Sequence, residues 1–198
     1  MSPTRARLSG HGAFVIPRPG YQLARVDGGP ASSLRVTYGE ESQLVEIGGT
    51  EPISEQLLEV LADPSSAAWR IQTDTFACAW PAGFVLADDP DELSAFVLAG
   101  ENGALIWVSG PMPAERALPI ENLADEDQTV RAVADEGENA RIDLDYVLDS
   151  EPWWQRRYVL RWDGEVLVVS GQARALDEEW VCVALEELTG SLTPTRLN

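Results

Sequence analysis

The sequence predicts an α+β protein: antiparallel sheet packed against helices, with an N-terminal segment that partly repeats later in the chain. Three observations predict it. Short apolar runs rich in Val, Ile, Phe and Trp recur throughout, bounded by Gly and Pro, as strands are. One stretch near the C-terminus has the amphipathic spacing of a helix. Three segments between residues 14 and 49 match three between 76 and 110 in the same order.

The elements follow in order. Residues 1–9 read as a disordered start, 10–66 as a strand-rich half-repeat with one helix, 67–192 as an α+β domain and 193–198 as a tail. The repeat is carried by "PGYQLA" and "AGFVLA", which place Gly20 on Gly83, Tyr21 on Phe84, Leu23 on Leu86 and Ala24 on Ala87. Phe14 answers Phe76 upstream. Downstream, "GEESQLVEIGG" answers "GENGALIWVSG", with Leu44 on Leu105 and Ile47 on Val108. Each copy reads as a strand stopped by proline, a second strand and a hairpin.

After the first copy, "PISEQLLEVLA" at 52–62 has Pro52 in a first turn and an apolar stripe of Ile53, Leu57, Leu58 and Leu61, which predicts a helix. After the second copy, the proline-bearing stretch 111–128 predicts loop with a short helix. A strand pair is expected at 128–134 and 140–148. In the second of these, Ile142, Leu144, Tyr146 and Leu148 alternate with Asp143 and Asp145, the pattern of a half-buried strand with an acidic outer face. In "RRYVLRWDGEVLVVSG", Asp163-Gly164 is the favoured pair for a two-residue hairpin turn, because both central residues need positive φ. That turn sets Trp162 against Glu165, Leu160 against Leu167 and Tyr158 against Val169. A final helix carries Asp177, Glu178 and Glu179 in its first turn, where negative charge suits the helix dipole. Leu176, Trp180, Val181, Ala184, Leu185 and Leu188 form its expected buried stripe, and Gly190 ends it.

Composition bounds the function. The chain has 198 residues, 44% hydrophobic and 24% charged, which are globular values. Fourteen basic residues, all Arg, oppose 33 acidic ones, leaving a net charge of −19. Genome composition, salt adaptation and a basic partner each fit this bias. Such a charge repels nucleic acid and anionic lipid and steers a basic protein inward. Neither a signal peptide nor an apolar membrane span is evident, so a cytoplasmic location without membrane insertion is expected. Cys78 and Cys182 lie in apolar runs and read as buried free thiols.

Little here points to catalysis. His11 is the only histidine, and there is no phosphate-binding loop, nucleophile elbow, dinucleotide fingerprint or C-x-x-C pair. What remains is carboxylate. Asp88, Asp89, Asp91 and Glu92 form one run, Asp125, Glu126 and Asp127 another, and Asp135, Glu136 and Glu138 a third. Glycosidase or Mg²⁺ chemistry needs such groups to converge. No catalytic, cofactor or metal residue is assigned. The candidate partner-binding residues are Asp143, Asp145 and Asp149 with Trp153, Trp154, Arg156 and Arg157 of "EPWWQRRY". Adjacent tryptophans in a strand point to opposite faces, which leaves two readings: one of the pair is exposed beside an arginine as an interface anchor, or the sheet is buried on both sides with arginine stacked over tryptophan.

The order "W-P-x-G-F", hairpin, mixed middle, "Y-V-L-R-W-D-G-E-V-L-V-V-S-G-Q-A" and final helix over 68–192 resembles the PsbP-like and DcrB-like α/β sandwich group. The matching residues are Pro81, Gly83 and Phe84, then 158–173 and 175–190. The resemblance implies a non-enzymatic binding scaffold. Relatives serve as lipoproteins, photosystem subunits, transport cofactors or effector chaperones, and this chain departs from the lipoproteins in having no lipobox cysteine. The expected function is therefore an acidic protein that covers a basic protein partner, as an immunity protein or effector chaperone, without a cofactor. A carboxylate-based hydrolase or carbohydrate-active enzyme, and a structural subunit of a larger assembly, are the alternatives.

Overall fold

A computed structural model of the chain describes residues 5–8, 12–15, 20–26, 33–46, 59–61, 69–89, 94–135, 137 and 139–195. The N-terminal strands are β1 (Arg5–Leu8), β2 (Gly12–Val15), β3 (Tyr21–Val26), β4 (Ser33–Tyr38), β5 (Glu41–Glu46) and β6 (Glu59–Leu61). There follow β7 (Arg70–Gln72), β8 (Phe76–Ala79), β9 (Val85–Ala87), β10 (Val97–Ala99) and β11 (Leu105–Pro113). The last strands are β12 (Thr129–Asp135), β13 (Asn139–Leu148), β14 (Glu151–Trp162) and β15 (Glu165–Arg174), then helix α1 (Glu178–Gly190) and β16 (Thr193–Pro194).

The strands form two sheets, antiparallel throughout. One has the order β12-β13-β14-β15-β11-β10-β9-β3-β4-β5, the other β16-β8-β7-β1-β2-β6. Both mix strands of the two matching segments. In the larger sheet β3 lies beside β9, with Leu23 opposite Leu86. In the smaller one β1 lies beside β7, with Ala6 opposite Ile71. Segments 10–66 and 67–192 thus both contribute strands to each sheet.

The main core lies where one face of the larger sheet meets the smaller sheet and α1. Leu23, Leu86, Ile106, Val108, Leu167 and Val169 meet Phe76, Trp80 and the helix residues Val181, Leu185 and Leu188 there. A second core forms on the opposite face. Ile142, Leu144, Val159 and Val166 pack under Ile120, with Met112, Leu123 and Ala124 at its margin. The stretch 111–128, read as loop with a short helix, builds this cover from two short 3-10 turns, Ala114–Arg116 and Ile120–Leu123.

The Asp163-Gly164 hairpin has the expected register, with Trp162 opposite Glu165, Leu160 opposite Leu167 and Tyr158 opposite Val169. Its turn residues have φ 50° and 80°, as a turn with two positive-φ residues requires. Gly20 and Gly83, the matched glycines of the two copies, also take positive φ, 92° and 83°.

Three expectations are corrected. Residues 5–8 form a strand inside the start read as disordered, and Thr193–Pro194 pairs with β8 inside the tail. Of the helix expected at 52–62, residues 52–58 and 62 lie outside the described residues, whereas 59–61 form β6 against β2. The apolar Leu61 fits a strand as well as a helix, and pairing with Ala13 decides for the strand.

Candidate functional site

The candidate residues sit on the β13–β14 hairpin, which turns at Asp149 and Ser150, both at positive φ. The long antiparallel register sets Asp143 opposite Arg156, Asp145 opposite Trp154 and Tyr146 opposite Trp153. Alternation then divides them between the two faces of the sheet.

On the face beneath α1, Asp143 and Arg156 form a buried pair. Arg156 Nε donates to Asp143 Oδ1 at 2.5 Å, and Nη2 to Oδ2 at 3.3 Å, the two-pronged geometry that guanidinium and carboxylate favour. The side chains are 11% and 7% exposed. Arg156 also reaches the helix, donating from Nη1 to Cys182 Sγ at 2.7 Å and to Glu186 Oε1 at 3.5 Å. Its guanidinium lies over the rings of Trp154 (5.3 Å) and Tyr158 (5.9 Å). Burial opposes the charge on Arg156, but the hydrogen bond and charge of Asp143 outweigh it, and the pKa is raised. Arg141 Nε stands 3.6 Å from Asp143. Further out, Arg131 Nη1 bridges Glu178 at 2.9 Å and Asp145 at 3.6 Å, tying β12 to the start of α1.

On the other face, Arg157 holds the second core's cover. It donates to the Leu123 carbonyl at 2.5 Å and to Asp125 Oδ2 at 3.1 Å. Trp153 lies against Gly103 and beside Tyr146, with ring centroids 6.2 Å apart.

These positions correct the expected partner face. Asp143 does not point outward: the face that carries it is the face under α1, and Arg156 neutralises it there. Neither tryptophan is exposed, since Trp153 is 8% and Trp154 0% accessible. The sheet is covered on both sides at this point, as the buried alternative expects: Trp154 lies in the main core with Arg156 over its ring, and Trp153 packs against Gly103 and Tyr146. Arg156 is likewise buried and Arg157 half-buried. Only Asp145 and Asp149 keep exposed carboxylates.

The exposed apolar surface lies instead on α1 and the turn before it. Leu176 is 96%, Val183 62% and Trp180 36% exposed. Trp180 and Val183 lie about one turn apart on a side of the helix away from the centre of the buried Val181, Ala184, Leu185 and Leu188, and Leu176 precedes them in the turn before the helix. Glu179, Glu186 and Glu187 flank the stripe and are exposed. Trp180 is seated, not free. Its ring stacks on Phe84 at 4.7 Å and 12°, and a Cβ on Gly100 would come within 2.6 Å of it. The expected buried stripe therefore loses two members. Leu176 precedes the helix in the 3-10 turn Ala175–Asp177, where it leaves the helical face, and Trp180 sits at the rim. A signal for Trp180 was present: 180 and 183 repeat at helical spacing, on a line turned away from 181, 184, 185 and 188.

Among the described residues no group of three or more His, Cys, Asp or Glu side chains converges as metal ligands do. Cys78 is buried and Cys182 partly so, and both are free thiols. Burial pushes the Cys78 thiol up to about 12; Cys182 is raised by burial against the opposing pull of Arg156. Among the described residues no helix is long and apolar enough to cross a membrane.

No family model matches the chain, and no curated protein matches it. Among solved structures, the chain is similar to cyanobacterial PsbP (CyanoP) from Synechocystis sp. PCC 6803, determined in solution. The identity is 12% and the TM-score 0.42, over 64% of this chain and 91% of that one.

Proposed function

We propose that this chain is a non-catalytic binding protein whose acidic surface covers a basic protein partner, in the manner of an immunity protein or an effector chaperone in the cytoplasm. The observation that carries the reading is the exposed Leu176–Trp180–Val183 stripe with its acidic flank. Apolar anchors ringed by charge are what a protein interface presents, and tryptophan is a preferred anchor. Trp180 is also pre-oriented by Phe84, Gly83 and Gly100, which lowers the ordering cost of binding. The net charge of −19 supplies the attraction for a basic partner. The partner face moves from the tryptophan pair of β14 to α1, with Asp145 beside it.

The test uses a basic protein co-purified from the native host. Leu176→Asp with Val183→Asp should weaken its binding at least tenfold, because interface anchors cost upwards of about 1–2 kcal/mol each. Unchanged binding, or a partner that is itself acidic, overturns the reading.

The same proposal includes an internal partial repeat as the framework of the fold. It is supported by Leu23 facing Leu86 across β3 and β9, and by β6 pairing with β2 as β16 pairs with β8. An experimental structure tests it: β3–β4–β5 should superpose on β9–β10–β11, and a different strand order in the two halves rejects it.

A further inference from the structure

β12 ends the larger sheet. It pairs with β13 on one side, and no described strand pairs with its other edge. We propose that this edge accepts an extended, basic-ended segment of the partner as an eleventh strand. The inference rests on the proposed basic partner and adds a second contact, distinct from the α1 stripe, that uses backbone hydrogen bonds.

Four features of β12 carry it. First, the strand is little covered: Val130 is 46% and Val133 50% exposed, beside Leu144 and Ile142 of the neighbouring strand. An incoming strand with Val or Thr at alternate positions would extend that apolar row. Second, the edge is lightly defended. It has no proline and no lysine, the residues that usually blunt an edge. Its one bulge, between Val130 and Ala132, lies at Arg131. Third, Arg131 does not guard the edge. Its guanidinium is drawn back across the sheet to Glu178 and Asp145. Fourth, both ends of the strand are acidic and exposed, with Glu126 and Asp127 before it and Asp135 at its close. At about 3.4 Å per residue, β12 runs roughly 20 Å from Thr129 to Asp135, with Glu126 and Asp127 in the turn just before it. The matching segment has arginine or lysine at the two ends of a stretch at least that long and β-branched residues between them. A second copy of this chain does not meet that description. Antiparallel pairing of two β12 strands about Ala132 would bring the acidic ends together, on molecules that each carry −19.

The probe is a blocked ten-residue peptide with two arginines at each end of an alternating Thr-Val core. Two controls accompany it: the same peptide N-methylated at alternate amides, and one with glutamate in place of arginine. Binding is read by fluorescence anisotropy, and amide exchange reads protection along 129–135. The basic peptide should bind and slow exchange in β12. Both controls should bind at least tenfold more weakly. Ala132→Pro and Val133→Pro, with folding checked by far-UV circular dichroism, should each lose the peptide, while Leu176→Asp should keep it. Equal binding by the N-methylated peptide, unchanged affinity of both proline variants, or no peptide binding overturns the eleventh strand. If the peptide fails while the co-purified partner still depends on Leu176, the edge is wrong and the broader function stands. If the peptide binds and no basic partner exists, the broader function is wrong and the edge stands.

Discussion

Replacing Asp143 by Ala asks whether the Asp143–Arg156 pair is internal structure or exposed chemistry. The substitution strands the Arg156 guanidinium beneath α1, where its side chain is 11% exposed. Removing one member of a buried pair costs about 3–5 kcal/mol, because the other charge stays buried without its partner. Glu186 remains at 3.5 Å, but it is 60% exposed and offers a weaker contact. The expected cost is therefore about 3 kcal/mol, the lower end of that range. For a chain of this size that lowers Tm by about 6–12 °C. Arg156→Met should cost less, since Arg141 stays 3.6 Å from the Asp143 carboxylate and that carboxylate is smaller to rehydrate. The double change Asp143→Leu with Arg156→Met removes both charges and leaves apolar side chains beside Trp154 and Tyr158. It should be far milder than the sum of the single changes, with a coupling energy of about 2 kcal/mol. Urea unfolding followed by tryptophan fluorescence, run as a full cycle, measures this. Single changes below about 1 kcal/mol that simply add would refute the buried pair.

Two further stability predictions follow from burial. Trp154→Ala, at a site with 0% exposure, should cost about 3–5 kcal/mol, whereas Trp180→Ala should cost about 1–2 because the ring is 36% exposed and loses mainly its stack on Phe84. Equal losses in urea would contradict the placement of the two rings. Alkaline stability should depend on Cys78. Its folded pKa, about 12, lies above its ordinary value of 9.0, so its contribution is complete below about pH 9 and is lost as pH rises towards 12. From pH 9 to 11 the native chain should lose stability faster than Cys78→Ala, by at most about 1.4 kcal/mol per pH unit. Parallel alkaline limbs for the two proteins would refute this.

Where a few neighbouring residues decide a structure, the sequence was sufficient. Asp163-Gly164 dictates its own turn, and alternation on both arms then fixes ten paired positions of β14 and β15. The helix over 178–190 was legible from its apolar spacing and acidic first turn. What was not legible depends on distant chain. Alternation in β13 reveals that its two faces differ, but not which face is covered. The second cover comes from the proline-bearing segment around Ile120, whose local pattern signals no sheet to pack on. Local pattern likewise left the tryptophan pair open between an exposed anchor and a sheet buried on both sides, and distant chain, Gly103 against Trp153 among it, decides for burial. One clue was present: folding 140–148 back on 151–162 sets Asp143 directly opposite Arg156, and opposite charges facing across strands are a pairing signal. In 59–61, Val60 and Leu61 are too few apolar residues to separate a helical period from a strand period, and only pairing with β2 decides.

The central claim is that α1 presents the anchor for a basic protein. Its most direct test is stopped-flow association of the native chain and of Leu176→Asp/Val183→Asp with the purified host partner over a salt series. The native chain should associate more slowly as salt rises, because attraction between the charged surfaces is screened beyond about 8 Å at physiological ionic strength. The double variant, which adds negative charge, should keep that salt dependence and associate at least as fast, yet release the partner at least ten times faster. A dissociation rate unchanged by the double variant, or an association rate indifferent to salt, would contradict the claim.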